Sequence, residues 1–396
     1  MSLMTGTAGD DHLVGGPDDI LQGLAGNDTL EGAAGAGVVI DYAHSPAGAV
    51  IDLGAGTAQD GYGTTDKLIN IEKVGGSFFA DTITGDAQDN YIDGRDGNDV
   101  IDGGAGNDII VGGSGTETLT GGAGDDIFMA GGNGHYTIHG GDGTDEVDYS
   151  GYGFAIQADL YVGTWKDSFD GVENVVGGQF NDTLLGDFRN NVLKGGGGDD
   201  TIDGREGDDL IDGGPGTNQL RGGDGNDTVQ GGAGFDDING NKGDDVIDGG
   251  SGGGDWLVGG QGNDLITSHA SDDILYGNLG NDTLNGGVGN EILRGGQGDD
   301  LINGGAGNDW ISGDRGNDTM TGGSGADTFH TFNGAGMDRV TDFSVAEGDR
   351  VQLDPGTTWS VSQVGADTVI DLGGGDQMVL VGVQMSTLPN GWIFGS

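Results

Sequence analysis

The sequence predicts an all-β solenoid, a fold built from one short turn-and-strand unit repeated many times. Between residues 177 and 330 the chain consists of 17 nine-residue units, with a single one-residue slip at Gly249. A repeat of fixed length defines the architecture before any other feature does. The eighth position of every unit is apolar, from Leu184 to Phe329, so each unit offers one side chain to a core. Glycines at positions one, two and four permit turns with positive φ, and we expect each unit to be a glycine-rich turn followed by a three-residue strand.

The sixth position of the unit carries a column of acids. It is Asp in 14 of the 17 units, and the exceptions are Asn191, Asn218 and Glu291. Carboxylates stacked about 4.8 Å apart in successive coils repel one another. The few apolar side chains per coil bury too little surface to offset that repulsion and the ordering of so many glycines. A hard divalent cation between the carboxylates, with turn carbonyls completing an oxygen shell, would reverse the repulsion.

Three units show the pattern most clearly: GGDGNDTVQ (222–230), GGQGDDLIN (295–303) and GGAGNDWIS (304–312). They resemble the GGxGxDxUx repeat of the repeats-in-toxin (RTX) family, the haemolysin-type calcium-binding nonapeptide. The resemblance implies a right-handed parallel β-roll with two units per coil and about 15 to 20 Ca²⁺ ions held between the turns of successive coils. The metal ligands that we expect are Asp11, Asp28, Asp99, Asp108, Asp126, Asp182, Asp200, Asp209, Asp227, Asp236, Asp245, Asp255, Asp264, Asp273, Asp282, Asp300, Asp309, Asp318 and Asp327.

With two units per coil, alternate units share a face of the roll. Asn218 and Glu291 then lie on the same face, and the opposite face stacks Asp from 209 to 318 without interruption. Asn218 lacks a charge and Glu291 is one methylene longer than Asp. We therefore expect two weak cation sites, both on one face.

The periodicity is interrupted twice, which divides the chain into six segments. They are a short repeat block (1–40), a strand-rich insert (41–75), a second roll block (76–148), a related insert (149–176), the main roll (177–330) and a β-rich C-terminal cap (331–396). The inserts are related because Glu72 and Asp81 recur 101 residues later as Glu173 and Asp182. We expect the inserts to be side flaps or joints between rolls rather than ligand sites.

Composition excludes several functions. The chain of 396 residues has 66 acidic and 13 basic residues, a formal charge of −53 and no cysteine. A nucleic-acid partner is disfavoured because phosphate binding needs a basic surface. No segment has the 18 or more apolar residues of a membrane span. The first residues have neither a basic region nor an apolar run, so we expect no N-terminal secretory signal.

The C-terminal segment is similar to the one that follows the repeats in RTX proteins, including the tail of serralysin-type proteases. It contains GMDRVTDFSVAEGDRVQLD (336–354), and its alternating pattern predicts a hairpin around Gly373. The resemblance implies an uncleaved signal for the type I secretion machinery, and hence a secreted protein that is extracellular or associated with the cell surface.

The function that we expect is a structural or adhesive scaffold that folds on binding Ca²⁺, with no catalysis of its own and with acidic polysaccharide or a cell surface as partner. His135 and His139 have i, i+4 spacing, but HYTIH lacks the glutamate of a zinc-protease helix and lies in a strand register. Two alternatives stay open: a polysaccharide-modifying enzyme of the lyase or epimerase type, and the repeat portion of a larger secreted toxin or hydrolase. An ice-binding roll is disfavoured because position three of the units is never Thr.

Overall fold

The structure is a computed structural model that describes residues 2–35, 37–131, 134–161, 163 and 167–395. Parts of the predicted insert 149–176, at residues 162 and 164–166, lie outside the described residues. The chain forms two compact units, Met1–Gln179 and Phe180–Ser396. Each unit is described separately below.

The first unit consists of short strands, most of them three residues long because each spans only positions seven to nine of a repeat. They are β1 (Leu3–Thr5), β2 (His12–Gly15), β3 (Ile20–Gln22), β4 (Thr29–Gly32), β5 (Val39–Asp41), β6 (Val50–Asp52), β7 (Thr57–Gln59), β8 (Thr65–Ile69), β9 (Lys73–Gly75), β10 (Thr82–Thr84), β11 (Tyr91–Asp93), β12 (Val100–Ala105), β13 (Ile109–Val111), β14 (Thr116–Ala123), β15 (Ile127–Met129), β16 (His135–Asp142), β17 (Glu146–Asp148), β18 (Gln157–Asp159), β19 (Ser168–Asp170) and β20 (Asn174–Val176).

These strands form the two walls of a parallel solenoid. One wall runs β1-β3-β5-β9-β11-β13-β15-β17-β20, and every pairing along it is parallel. The eighth-position side chains fill the space between the walls, and Ile83, Ile92 and Ile110 have no exposed surface. The predicted apolar column is therefore the core.

The first insert is built into the other wall and is not a flap. Strand β4 pairs in parallel with β8, which continues antiparallel through β7 to β6, and β6 then pairs in parallel with β10. The strands of this insert hydrogen-bond to the first repeat block on one side and to the second block on the other, so the insert is a joint between the two blocks rather than a side flap. Strand β7 was not predicted, since Thr57–Gln59 is short and lies within a Gly/Thr/Asp-rich segment.

The second unit is built from the same kind of short strand, at more regular intervals along the chain. Its strands are β21 (Thr183–Leu185), β22 (Val192–Lys194), β23 (Thr201–Glu206), β24 (Leu210–Asp212), β25 (Asn218–Asp224), β26 (Thr228–Gln230), β27 (Asp236–Lys242), β28 (Val246–Asp248), β29 (Trp256–Gln261), β30 (Leu265–Thr267), β31 (Ile274–Leu279), β32 (Thr283–Val288), β33 (Ile292–Gln297), β34 (Leu301–Ala306), β35 (Trp310–Arg315), β36 (Thr319–Ser324), β37 (Thr328–Thr331), β38 (Met337–Val340), β39 (Arg350–Leu353), β40 (Ser360–Val364), β41 (Asp367–Gly373), β42 (Asp376–Leu380) and β43 (Ile393–Gly395).

Even-numbered strands from β22 to β38 form one wall of this unit, and odd-numbered strands from β21 to β39 form the other. Pairings are parallel, and most have a register of 18 residues, as in Ile211 opposite Val229 and Leu284 opposite Ile302. A register of 18 means two nonapeptides per coil. The predicted all-β parallel roll is confirmed.

The single extra residue of the main roll lies in a turn. Gly249 occupies position one, because a Cβ there would meet Asp255 Oδ2 as position-one glycines do in other units. Gly250 and Gly253 lie against the carbonyls of Gly232 and Gly234, so they occupy positions two and four. The additional residue is therefore Gly252, three residues after the slip that the sequence suggested. A turn accommodates it because a bulge there leaves the strand register unchanged.

The C-terminal segment closes the second unit with a different kind of sheet. The predicted hairpin is β41 and β42, which pair antiparallel, and β40 adds a third antiparallel strand. The ring of Phe343 lies 6.1 Å from that of Phe329 and 6.2 Å from that of Trp392, covering the last core side chain. A short 3₁₀ turn follows at Met385–Thr387. Among the described residues, no helix has the length and apolar character needed to cross a bilayer.

Candidate metal centres

The sixth-position acids form a hydrogen-bonded ladder through one carboxylate oxygen. Where the residue one coil later is Asp or Asn, the main-chain N–H of the column residue donates to its Oδ1. The distance is 2.9 Å from Asp209 to Asp227, 2.8 Å from Asp227 to Asp245 and 2.9 Å from Asp245 to Asp264. Asp suits this position because its short side chain returns to the backbone of the neighbouring coil. The ladder fixes the orientation of each Asp carboxylate that takes part in it.

The second carboxylate oxygen, Oδ2, is buried and has no hydrogen-bond partner in most of the column. A buried polar atom without a partner is costly and rare, so its repetition along the coils indicates a ligand site rather than an isolated defect. The Asp residues in this state among the described residues are Asp28, Asp99, Asp108, Asp126, Asp145, Asp200, Asp209, Asp227, Asp236, Asp245, Asp264, Asp282, Asp300, Asp309, Asp318 and Asp327.

Asn218 shows what each unpaired oxygen faces. Its Oδ1 accepts the ladder hydrogen bond from Asp200, as an Asp would. Its Nδ2 takes the place of the unpaired oxygen and donates to the carbonyls of Gly214 at 3.1 Å and Gly231 at 3.3 Å. These are the position-two carbonyl of the same unit and the position-one carbonyl of the next coil. From the equivalence of the repeats we infer that, in an Asp unit, a carboxylate oxygen faces the same two carbonyl oxygens with no donor between them.

Such a set of oxygens matches the ligand preference of Ca²⁺, which takes carboxylate and main-chain carbonyl ligands. Within the described part of the chain, no three His, Cys, Asp or Glu side chains converge on one point, so the backbone must supply the other ligands. Glycine at position one keeps the space open. A Cβ on Gly204 would collide with Asp209 Oδ2 and with the carbonyl of Gly222. The residues present therefore fit the cation that the sequence predicts.

The electrostatics of the column point the same way. Burial raises the pKa of Asp209 and Asp264 to about 7, and that of Asp300 to about 8, with neighbouring column carboxylates adding to the effect. Hydrogen bonds from the ladder N–H groups act against this rise. Stacked carboxylates are thus difficult to ionise unless a positive charge lies among them.

Four of the predicted ligands differ from this pattern. Asp11 accepts the N–H of Thr7 through Oδ2 at 2.6 Å. Asp273, beside Ser268, is not among the acids with an unpaired Oδ2. Asp182 and Asp255 are buried members of the column but are not among the acids with an unpaired Oδ2. Asp145, which was not among the predicted ligands, is in the unpaired state. Its unit begins at Gly140 and places Asp145 at position six, so the register of the repeat was the available signal.

We call the space between the column side chain and the two carbonyls that Asn218 contacts, or their equivalents in other units, the gap. At two further places a hydroxyl side chain of the protein occupies the gap. The Tyr136 hydroxyl bonds the carbonyls of Gly113, at 2.7 Å, and Gly131, which are the two carbonyls equivalent to those that Asn218 serves. The Ser268 hydroxyl donates to the carbonyl of Gly286. Tyrosine and serine in glycine-rich repeats are the signal that could have revealed these closures in the sequence.

The two inserts use tyrosine in a related way. Asp66 accepts the N–H of Asp28 at 3.0 Å, as a ladder acid does, and its Oδ2 accepts the hydroxyl of Tyr42 at 3.0 Å. Asp167 likewise accepts the N–H of Tyr136 at 2.9 Å and the hydroxyl of Tyr149 at 2.9 Å. Each insert thus continues the acid column with a carboxylate whose second oxygen is satisfied by the protein.

Glu291 is a different exception. Both of its carboxylate oxygens are buried without a hydrogen-bond partner. Burial, and then the proximity of Asp309, raise the pKa of Glu291 to about 9. The longer side chain keeps the acid in the column but does not place it as Asp is placed.

A second ladder, which the sequence did not predict, lies at position five on the surface. There the side-chain oxygen accepts the N–H of the residue one coil later: Asp208 from Asn226 at 2.8 Å, Asn226 from Asp244 at 2.7 Å and Asp244 from Asn263 at 2.7 Å. The frequent Asn and Asp at position five were the available signal. This ladder stabilises the turns without contributing to the gaps.

The two histidines considered as metal ligands do not form a site with each other. His135 and His139 are both exposed on β16, and His139 Nδ1 lies 3.6 Å from the Asp170 carboxylate. Their spacing of four residues along a strand keeps the rings apart.

Comparison with known proteins gives one family match. A family model for the RTX calcium-binding nonapeptide repeat matches residues 5–39, 75–110, 167–188, 185–220, 221–253, 250–284, 285–320 and 312–335, which together exceed half of the chain. Solved structures with a likeness include the extracellular lipase LipA from Serratia marcescens, at 19% identity and a TM-score of 0.26. That match covers 54% of this chain and 39% of the lipase chain, and at this TM-score it supports no statement about activity. No curated protein matches the chain.

Proposed function

Because the chain belongs to the RTX family of calcium-binding nonapeptide repeat proteins, we propose that it is a secreted scaffold that folds on Ca²⁺ outside the cell. Its repeats bind Ca²⁺. With a formal charge of −53, the chain repels itself until cations neutralise the column. Cytoplasmic free Ca²⁺ lies far below the affinity of extracellular modules, about 10⁻⁴ to 10⁻³ M, so the chain would remain unfolded until export.

The observation that carries this proposal is the amide of Asn218. It places a donor where an Asp unit has a carboxylate oxygen and two carbonyl oxygens facing one another. The proposed ligands of each ion are therefore Oδ2 of the sixth-position Asp, the position-two carbonyl of the same unit and the position-one carbonyl of the next coil. The acids with an unpaired Oδ2 are the ones that we assign to bound ions.

The scaffold role is supported by how the acids are used. Most column Asp residues are engaged in the ladder by one oxygen and face a gap with the other, so the repeat itself accounts for both oxygens. The C-terminal segment, with its antiparallel strands β40 to β42 and exposed residues at 384–387 and 389–391, is the part that we assign to type I secretion.

A calcium titration tests the proposal. In EGTA, far-ultraviolet circular dichroism should show a largely unfolded chain. Near 1 mM free Ca²⁺ the β-structure should appear cooperatively, because a site with a Kd of about 10⁻⁴ M then stabilises the fold by about 1.4 kcal/mol, repeated over many sites. A native-like spectrum in EGTA would contradict Ca²⁺-driven folding. Turnover of a polyuronate by the calcium-loaded protein, abolished by substituting an acid outside the column, would contradict the scaffold role.

A further inference from the structure

The two edges of the second unit differ in the length of the side chains at position three. One edge lies at the C-terminal ends of the even-numbered strands, and its position-three side chains are short: Pro215, Ala233, Ser251, Ala270, Val288, Ala306 and Ser324. On the opposite edge they form an aligned row of longer side chains: Asp224, Lys242, Gln261, Leu279, Gln297 and Arg315. We call this second row the long edge.

Folding does not require the longer side chains. The short edge has the same coil-to-coil pairing with alanine at Ala233, Ala270 and Ala306. Members of the long edge are exposed, so they add little to the core. Position three on the short edge tolerates alanine, so the long side chains at position three on the long edge are not needed for the fold. They are exposed and therefore available for recognition.

The long edge is one side of a groove with a volume of about 920 Å³. The ninth-position residues Asn239, Val258 and Arg294 and the second-position residues Asn241 and Asn278 also line the groove. From Asp224 to Arg315 the groove crosses five coil steps, or about 24 Å at 4.8 Å per step. Its shape suits an extended polymer rather than a compact molecule.

Main-chain groups along the groove are engaged in the sheet. The strands that carry the long edge, β25 to β35, each pair with the preceding and the following coil. A peptide therefore finds no free strand edge to extend, and recognition must come from side chains repeated at each coil.

The side chains combine carboxamides with basic groups. Gln261, Gln297 and Asn278 present both donors and acceptors, which suit the hydroxyl groups of sugars. Three basic and two acidic side chains line the groove, in a chain that has only 13 basic residues against 66 acids. Arg315 has no ion pair among the residues that the structure describes. This local reversal of charge favours an anionic ligand.

We propose that the groove binds an extended strand of acidic polysaccharide, with the carboxamides contacting sugar hydroxyls and Lys242, Arg294 and Arg315 contacting the acidic groups. Two of these basic groups are held in place by acids, since Lys242 lies 2.7 Å from Asp224 and Arg294 lies 2.8 Å from Asp314. The inference rests on the proposed extracellular role and adds a partner to it.

Binding of short oligogalacturonides to the calcium-loaded full chain, measured by isothermal titration calorimetry, tests the proposal. Gln261→Ala with Gln297→Ala, and separately Lys242→Gln with Arg315→Gln, should each weaken binding at least tenfold. The first pair only introduces the alanine that the short edge already has. The control pair on that edge, Val288→Ala with Ser324→Ala, should leave binding unchanged, and neutral maltooligosaccharides should bind at least tenfold more weakly than the acidic ligand.

Three outcomes would overturn the inference: no binding by the unsubstituted protein, equal affinity for the neutral ligand, or binding that the long-edge variants leave unchanged. The last outcome would assign the polyanion to the bound Ca²⁺ ions. Circular dichroism of each variant separates these results from the proposed function. A chain that folds on Ca²⁺ but does not bind the oligogalacturonide loses only this inference, whereas a chain that does not fold on Ca²⁺ contradicts the scaffold itself.

Discussion

The inserts of the first unit and the repeats of the second unit contain the same buried carboxylate but complete it differently. Asp167 accepts a ladder N–H with one oxygen and the hydroxyl of Tyr149 with the other. Asp264 accepts the N–H of Asp245 with one oxygen, and its other oxygen is buried without a partner. A phenol can satisfy one carboxylate permanently, whereas a repeated gap makes the fold depend on a soluble ion.

Acid should partly replace calcium in the repeats, and this is the largest effect that we expect. Burial raises the pKa of Asp209, Asp245 and Asp264 to about 7 in the fold, against about 3.9 in an unfolded chain. Groups with a raised pKa stabilise the fold fully below the unfolded value, and this stability is lost as the pH rises through about 7. In EGTA, lowering the pH from about 7.5 to about 5 should therefore increase the β-structure signal in circular dichroism. A spectrum that stays unfolded throughout would show that protons cannot replace the cation, and sedimentation controls for aggregation.

Two substitutions at one position separate the ladder from the gap. Asp264→Ala removes the acceptor of the Asp245 N–H as well as a ligand, and a buried donor without a partner costs about 1–3 kcal/mol. Asp264→Asn keeps an acceptor, and its amide can fill the gap as Asn218 does. Both variants should lose one bound Ca²⁺ by equilibrium dialysis, but only the alanine variant should lose this additional stability in urea unfolding. Equal stability of the two variants would show that the ladder bond contributes nothing.

The tyrosine closure can be tested with the matched variants Tyr149→Phe and Tyr161→Phe. The first removes the hydroxyl that donates to Asp167 Oδ2, which should lower the free energy of unfolding in saturating Ca²⁺ by about 1 kcal/mol. Tyr161 is 72% exposed, so its variant should be neutral. If both variants unfold at the same urea concentration as the unsubstituted protein, the hydroxyl of Tyr149 has no structural role.

The smallest effect should come from converting a filled gap into a cation site. Asn218→Asp replaces the amide by a carboxylate oxygen facing the Gly214 and Gly231 carbonyls. The variant should bind one additional Ca²⁺ and gain about 1.4 kcal/mol at 1 mM Ca²⁺ if its Kd is about 10⁻⁴ M. Dialysis measures the ion count, and an unchanged count would refute the ligand set inferred from Asn218.

The sequence by itself determined the repeat, the core and the identity of the acid column. Position eight became the core and position six became the buried ladder, because a nine-residue period places every equivalent residue in the same environment. The related inserts were also evident, since the offset of 101 residues is a property of the chain alone.

Only the tertiary structure decided which column acids have an unpaired oxygen, because this depends on residues distant in sequence. Tyr136 reaches the carbonyl of Gly113, 23 residues away, and the strands β6 to β8 enter the wall of the roll through pairings with β4 and β10. The long edge likewise emerges only when units 18 residues apart are stacked, because consecutive units lie on opposite walls. The nine-residue period determines which residues occupy equivalent positions in the repeat. Packing between coils determines which partner each of their side-chain atoms contacts.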